Sequence, residues 1–244
     1  MVLSAGGHRP CRDRLLPVEP VPALVTLHVW RVPASRVPAA LARFGLDRSR
    51  ARRTPGVRFA KLLGTGDGRT FRARDADLTR WAKLSTWAVP GPDPVADAWA
   101  RLATETLRLE LRPLTSKGRW SGREPFGDPV PERYNGPVAA LTRARLSPRR
   151  APSFWRAVPP VSTELHRSPG LLAALGVGEA PIGLQGTLSL WRSPAALRDF
   201  AHRSEAHTAV IADTARLQWY SEELFARFAV TACEGTLDGR DPLA

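Results

Sequence analysis

The stretch FAHRSEAHTAVIADT, Phe200 to Thr214, holds two of the five histidines of a 244-residue chain. At helical spacing His207 shares a face with Phe200, Ile211 and Thr214, so its ring points inward. His202 lies about 140° away at ~100° per residue and faces elsewhere. Ser204 can cap a new helix, which sets His207 in the first turn, where the helix dipole disfavours an imidazolium and keeps the ring neutral. A neutral imidazole in an apolar wall can ligate iron. It can equally be a core histidine hydrogen-bonded to backbone, and these residues leave both readings open.

Other chemistry has weaker signatures. His8, His28 and His166 have no Cys, Asp or Glu at zinc-ligand spacing. The segment LLGTGDG, Leu62 to Gly68, has a Gly-x-Gly-x-Gly pattern but no Lys-Ser/Thr after it, so it reads as a strand-ending turn rather than a phosphate loop. No Gly-x-Ser-x-Gly elbow supports a hydrolytic triad. The adjacent Glu222 and Glu223 in WYSEELFARF read as a solvated helix face.

The elements that position these residues are written twice. TPGVRFAKLLGTG, from Thr54, and SPGLLAALGVGE, from Ser168, share a Pro-Gly turn, an apolar run and Leu-Gly-x-Gly before an acid, Asp67 or Glu179. Leu24–Val32 and Val138–Leu146 are matching strands by β-branched and aromatic content, each followed by a Pro-bounded helical stretch, Val37–Leu46 or Ser153–Leu165. RWAKLSTW (Arg80–Trp87) and LQGTLSLW (Leu184–Trp191) are matching strands that end in Trp. Helices follow from Asp93 to Thr104 and from Ser193, and the halves close on strands Leu107–Leu114 and Phe225–Ala232. The order is βαββαβ twice.

This predicts an α+β chain: two tandem ferredoxin-like halves forming a pseudo-dimeric α/β barrel, residues 23–114 and 137–244. They are joined by a Gly/Pro-rich linker over 115–136 and preceded by a flexible tail over 1–22. Sheet set against sheet leaves an apolar space expected to take a large flat or long ligand.

Charge and cysteine content bound the partners. The net charge is +13, yet of 36 Lys and Arg only Lys61, Lys83 and Lys117 are Lys, a bias of GC-rich coding. With no nucleic-acid motif beside it, the charge gives no nucleic-acid partner; loose attraction to an anionic membrane face needs charge alone. Two cysteines make no disulfide framework, and neither a signal peptide nor a stretch near the ~20 apolar residues of a membrane span is seen. A cytoplasmic location is expected.

Taken in order, FAKLLGTG, GRWSGREPFGDP, PVAALTRARL, LGVGEAPIGLQGTLSLW, WYSEELFARF and GTLDGRDP resemble the spheroidene monooxygenase family of carotenoid biosynthesis, from about Leu24 to Leu243. The resemblance implies a monooxygenase dependent on haem b, with dioxygen as co-substrate, that oxidises an apolar polyene using electrons from a ferredoxin-type donor. It implies His207 as the axial iron ligand; haem propionates would need cations, for which Lys61, Arg58 and Arg123 of the doubled phrase and the linker are candidates, each of which also reads as a solvated surface cation. One departure is Leu184, where the family pattern has histidine. The alternatives are a cofactor-free oxygenase or cyclase of the same fold, in which His207 acts as acid or base, and a non-enzymatic haem or apolar-ligand carrier. Association into a homo-oligomer is left open.

Overall fold

Period-two burial marks the first strand, β1 (Leu24–Arg31): Val25, Leu27 and Val29 point to one side, and Trp30 lies in a cluster on the other. The computed structural model describes residues 19–67, 73–146, 162–203 and 220–244. After β1 come α1 (Val37–Arg53), β2 (Val57–Gly66), β3 (Ala76–Trp87), α2 (Pro94–Ala100) and β4 (Glu105–Gly118). The second half supplies β5 (Val138–Leu146), β6 (Leu171–Gly178), β7 (Gly186–Trp191), α3 (Pro194–Arg203) and β8 (Tyr220–Gly235), with residues 162–167 helical before β6. The rest of the helix expected from Ser153, and His207, lie outside the described residues.

The eight strands close a barrel in the order β1-β3-β2-β6-β7-β5-β8-β4, every pairing antiparallel. Each half has its own first and third strands at its centre, as the ferredoxin-like order requires. The halves meet at two seams. Gly64, Thr65 and Gly66 pair with Gly178, Val177 and Gly176, so the two copies of the doubled phrase run past each other about a local two-fold axis. At the longer seam Leu107–Gly118 of β4 pairs with Leu224–Gly235 of β8.

A second repeat follows that seam. After β4 the chain reads GRWSGREPF (118–126), and after β8 it reads GTLDGRDPL (235–243). Both form the same turn: Ser121 and Asp238 take φ of 55° and 54°, Gly122 and Gly239 take 73° and 74°, and bridges close Trp120 to Arg123 and Leu237 to Arg240. Positive φ costs little for Gly and is tolerated by short polar side chains. Because β4 and β8 are antiparallel, the turns cap opposite mouths of the barrel, and Trp120 and Leu237 are buried as stoppers.

The interior is apolar, as expected, but it is full. Leu27, Leu109, Leu175, Leu188, Leu190 and Phe228 belong to one packed cluster, and a void of about 10 Å³ remains among them. An eight-stranded barrel is just wide enough for its own side chains, and among the described residues its interior shows no large ligand space.

Several elements differ in extent from their sequence estimates. α1 continues to Arg53 because Asp47 accepts from Arg43 (3.2 Å) and Arg50 (3.0 Å), and Ala51 still packs inward. α2 stops at Ala100, short of Thr104. β3 starts at Ala76, recruited by pairing with Gly66 of β2. β8 starts at Tyr220 and takes in Glu222 and Glu223, which are therefore on a strand and not on a helix face. No helix among the described residues is long and apolar enough to cross a membrane.

Candidate functional site

The tryptophans at the ends of β3 and β7 set the halves in register. Trp87 pairs with Leu24 and Val57; Trp191 pairs with Val138 and Leu171. Four residues back from each, on the outer face, stand Lys83 and Thr187. Lys83 sits between His28 of β1 and Leu62 of β2, whereas Thr187 sits between Thr142 of β5 and Gly176 of β6. Equivalent places thus carry bulk in one half and almost none in the other.

In the first half the outer face is solid. Trp30 stacks on Trp99 at 5.4 Å, Trp99 meets Trp81 at 5.6 Å, and Phe44 of α1 meets Trp81 at 5.1 Å. Lys83 is 0% exposed and is paired with Asp93, whose other oxygen accepts from the Ala96 amide (3.0 Å) to cap α2. Burial pushes the Lys83 ammonium down from its ordinary value, with Asp93 opposing. His28 stacks on Trp30 at 5.5 Å, and burial beside Lys83 lowers its pKa to about 4. This ring is neutral and structural.

In the second half the outer face is a shelf of small residues. Thr142, Thr187 and Gly176 form one row and Ala140, Ser189 and Ala174 the next; Thr142, on a strand paired on both sides, is exposed. Phe225 of β8, 41% exposed, lies opposite Thr142. Trp191 stacked on Phe200 (5.3 Å) closes one end with Val138 and Leu197. Ser193 holds that end by accepting from the Ala196 amide (3.2 Å) at the start of α3. Beyond it opens a cavity of about 340 Å³ lined by Val138, Leu197, Tyr134, Arg133, Arg198 and Arg227, and Arg227 lies opposite Ala140. A shelf of hydroxyls and aliphatic carbon with guanidinium groups at one end suits a broad, mostly apolar ligand with an anionic edge.

The sequence-derived cations are elsewhere. Lys61 donates to Glu179 (2.6 Å) and Ser121 (2.7 Å) inside one barrel mouth. Arg143, also buried there, binds Glu179 (2.7 Å) and Glu222, and the Trp120 indole donates to Glu179 (2.8 Å). Burial pushes the Glu179 carboxyl up, but the Lys61 and Trp120 hydrogen bonds and the charges of Lys61 and Arg143 outweigh it and hold it below the ordinary value. Arg123 binds Glu19 and the Arg58 carbonyl (2.8 Å), and Arg58 donates to the Pro20 carbonyl (3.2 Å). The three cations are thus brought together, with protein acceptors, as the seal of that mouth. Leu184 is buried against Gly66 at the short seam, and Gly66 pairs with Gly176, so Leu184 borders the shelf. His166 bonds the Ser162 carbonyl (2.8 Å) in its own helix. Among the described residues no three His, Cys, Asp or Glu could hold a metal ion.

Sequence reasoning missed the shelf, although its signal was present. Aligning the two terminal tryptophans and reading back four residues, to Lys83 and Thr187, exposes the loss of bulk.

A fused ferredoxin-like barrel with one outer face packed with large side chains and the other built of small ones is the class that fold and site define. No protein-family model matches the chain. It is 34% identical over 222 residues to the spheroidene monooxygenase of Rhodobacter capsulatus, covering 86% of this chain and 90% of that protein. It is also 34% identical over 224 residues to the spheroidene monooxygenase of Rubrivivax gelatinosus, covering 89% and 85%. Among solved structures, an aldoxime dehydratase bound to butyraldoxime shares the fold with a TM-score of 0.59 at 11% identity, over 90% of this chain and 84% of that one. The chain belongs to the spheroidene monooxygenase family and is a monooxygenase.

Proposed function

We propose that this monooxygenase binds haem on the second-half shelf and oxidises an acyclic polyene of the spheroidene kind lying beside it. One observation carries the reading: Thr142, Thr187 and Gly176 stand where the first half has His28, Lys83 and Leu62. The packed barrel does not fit a macrocycle, whereas the shelf offers small side chains, with a cavity lined by arginines beyond its Trp191 end. Trp191 and Phe200 keep water from one edge, and Arg133, Arg198 and Arg227 are the partners for propionates. These arginines replace Lys61, Arg58 and Arg123 in that role, because the latter are engaged in the barrel seal. His207 is the proposed axial ligand, by family resemblance. When bound, haem supplies activation of dioxygen with electrons from a ferredoxin-type donor.

The test is haem titration of the purified protein followed by absorbance. A Soret band that shifts in His207→Ala and is lost in Thr142→Trp, with thermal stability retained in both, is the expected result. Uptake untouched by Thr142→Trp rejects the shelf; no uptake at all favours the cofactor-free oxygenase.

A further inference from the structure

α1 faces two ways. Ala40, Phe44, Asp47 and Ala51 are buried against the first-half sheet. On the opposite side Ala42, Gly45, Leu46 and Ser49 follow at helical spacing, with Leu41 at the border. Leu46 is 62% exposed and Leu41 38%. A surface helix ordinarily turns its charges outward. Here the arginines sit on the flanks, Arg43 and Arg50 on one side and Arg48 and Arg52 on the other, with Arg53 at the end. The only carboxylate of the helix, Asp47, is 1% exposed and bound by Arg43 and Arg50. The outward surface of α1 therefore presents Leu46 among small residues along its crest, is positive along both edges and has no negative group. Neighbouring α2 adds exposed Asp97 and Arg101, which offset each other.

We infer that α1 is the surface on which the protein rests against a bilayer containing anionic lipid, an inference independent of the haem reading. Leu41 and Leu46 enter the boundary between headgroups and acyl chains, and the flanking arginines meet lipid phosphates. At ~1.5 Å per residue the helix lies roughly 25 Å along the interface. A second copy of the chain docking through α1 would set Arg48, Arg52 and Arg53 against their copies with no exposed acid on either helix to answer them. A rigid acidic protein would meet the arginines, but only a fluid surface also closes around leucines on a convex helix. Attraction to anionic lipid grows with each arginine near the surface.

The test is sedimentation of the full-length protein with phosphatidylcholine vesicles, with and without phosphatidylglycerol. Binding only to the anionic vesicles, weakening with salt, is expected. Leu46→Asp combined with Leu41→Ser lowers partitioning by about ten-fold or more. Arg48→Gln and Arg52→Gln lower it by roughly five-fold each. Val130→Asp, a change at an exposed linker residue, leaves it unchanged. Unaltered circular dichroism shows that each variant folds. No binding to anionic vesicles, or binding indifferent to the two leucines, overturns the assignment. So does a wild-type dimer in size-exclusion chromatography that Leu46→Asp makes monomeric.

Discussion

Glu105 and Glu222 are two-fold mates that tie down opposite caps. Glu222 accepts from the amides of Ser121 (2.9 Å) and Gly122 (2.7 Å), while Glu105 accepts from the amide of Gly239 (2.6 Å) and the hydroxyl of Thr236 (2.9 Å). Glu222 also pairs with buried Arg143. Replacing Glu222 by Ala removes charge-assisted bonds and leaves Arg143 under-compensated, so a loss of about 2–4 kcal/mol in urea unfolding is expected. Glu222→Gln, which keeps an acceptor, costs less. Equal midpoints for the wild type and Glu222→Ala would mean the cap is held by other contacts.

The same mouth gives an acid limb. Glu179 and Glu222 are both held below the ordinary 4.5, because hydrogen bonds and the nearby cations outweigh burial. The unfolded chain therefore takes up these protons first. Their contribution is complete above about pH 4.5 and is lost as pH falls through the depressed folded values. Glu179→Gln is expected to be less stable at neutral pH and flatter below 4.5, as read by thermal melts across pH.

His28 acts earlier in the titration. Burial and Lys83 lower its pKa from 6.5 to about 4, with Asp93 opposing, so the folded protein resists the proton that the unfolded chain accepts. Stability from the neutral ring is full above pH 6.5 and is lost on descending towards 4. His28→Phe, which keeps the stack on Trp30, should remove the slope between pH 6.5 and 4.5. A slope that persists in this variant assigns it to another group.

Asp93 serves Lys83 and the α2 cap with its two oxygens. Asp93→Ala deletes the cap and strands a buried ammonium, and is expected to cost ~3–5 kcal/mol. Adding Lys83→Met removes the stranded charge and should recover much of that loss. A double mutant no more stable than the single would rule out the pair as the cause.

The seams differ in strength. Leu107–Gly118 is paired along its length with β8, but β2 meets β6 only over Gly64–Gly66. Amides of that short seam should exchange with deuterium faster than those of β4. Equal protection would show that the barrel opens as one unit.

Much of the fold was readable because each half repeats its turn chemistry and its period-two pattern, and Pro-Gly plus terminal Trp mark strand ends without tertiary help. Helix length was harder, since Asp47 extends α1 through side-chain bonds that periodicity does not register. Glu222 was misread because two adjacent acids look solvated until Arg143 on another strand is known. The shelf escaped for a similar reason. An apolar interior predicts burial but not free volume, and only cross-strand register shows that Thr142 and Gly176 flank Thr187.

The unequal outer faces have a bearing on why the two units share a chain. A homodimer built from one such unit would carry two shelves or two solid faces, since symmetry copies every substitution. Covalent tandem arrangement frees each copy to drift on its own. One copy packed its outer face with indoles, while its sister kept small side chains at the matching places.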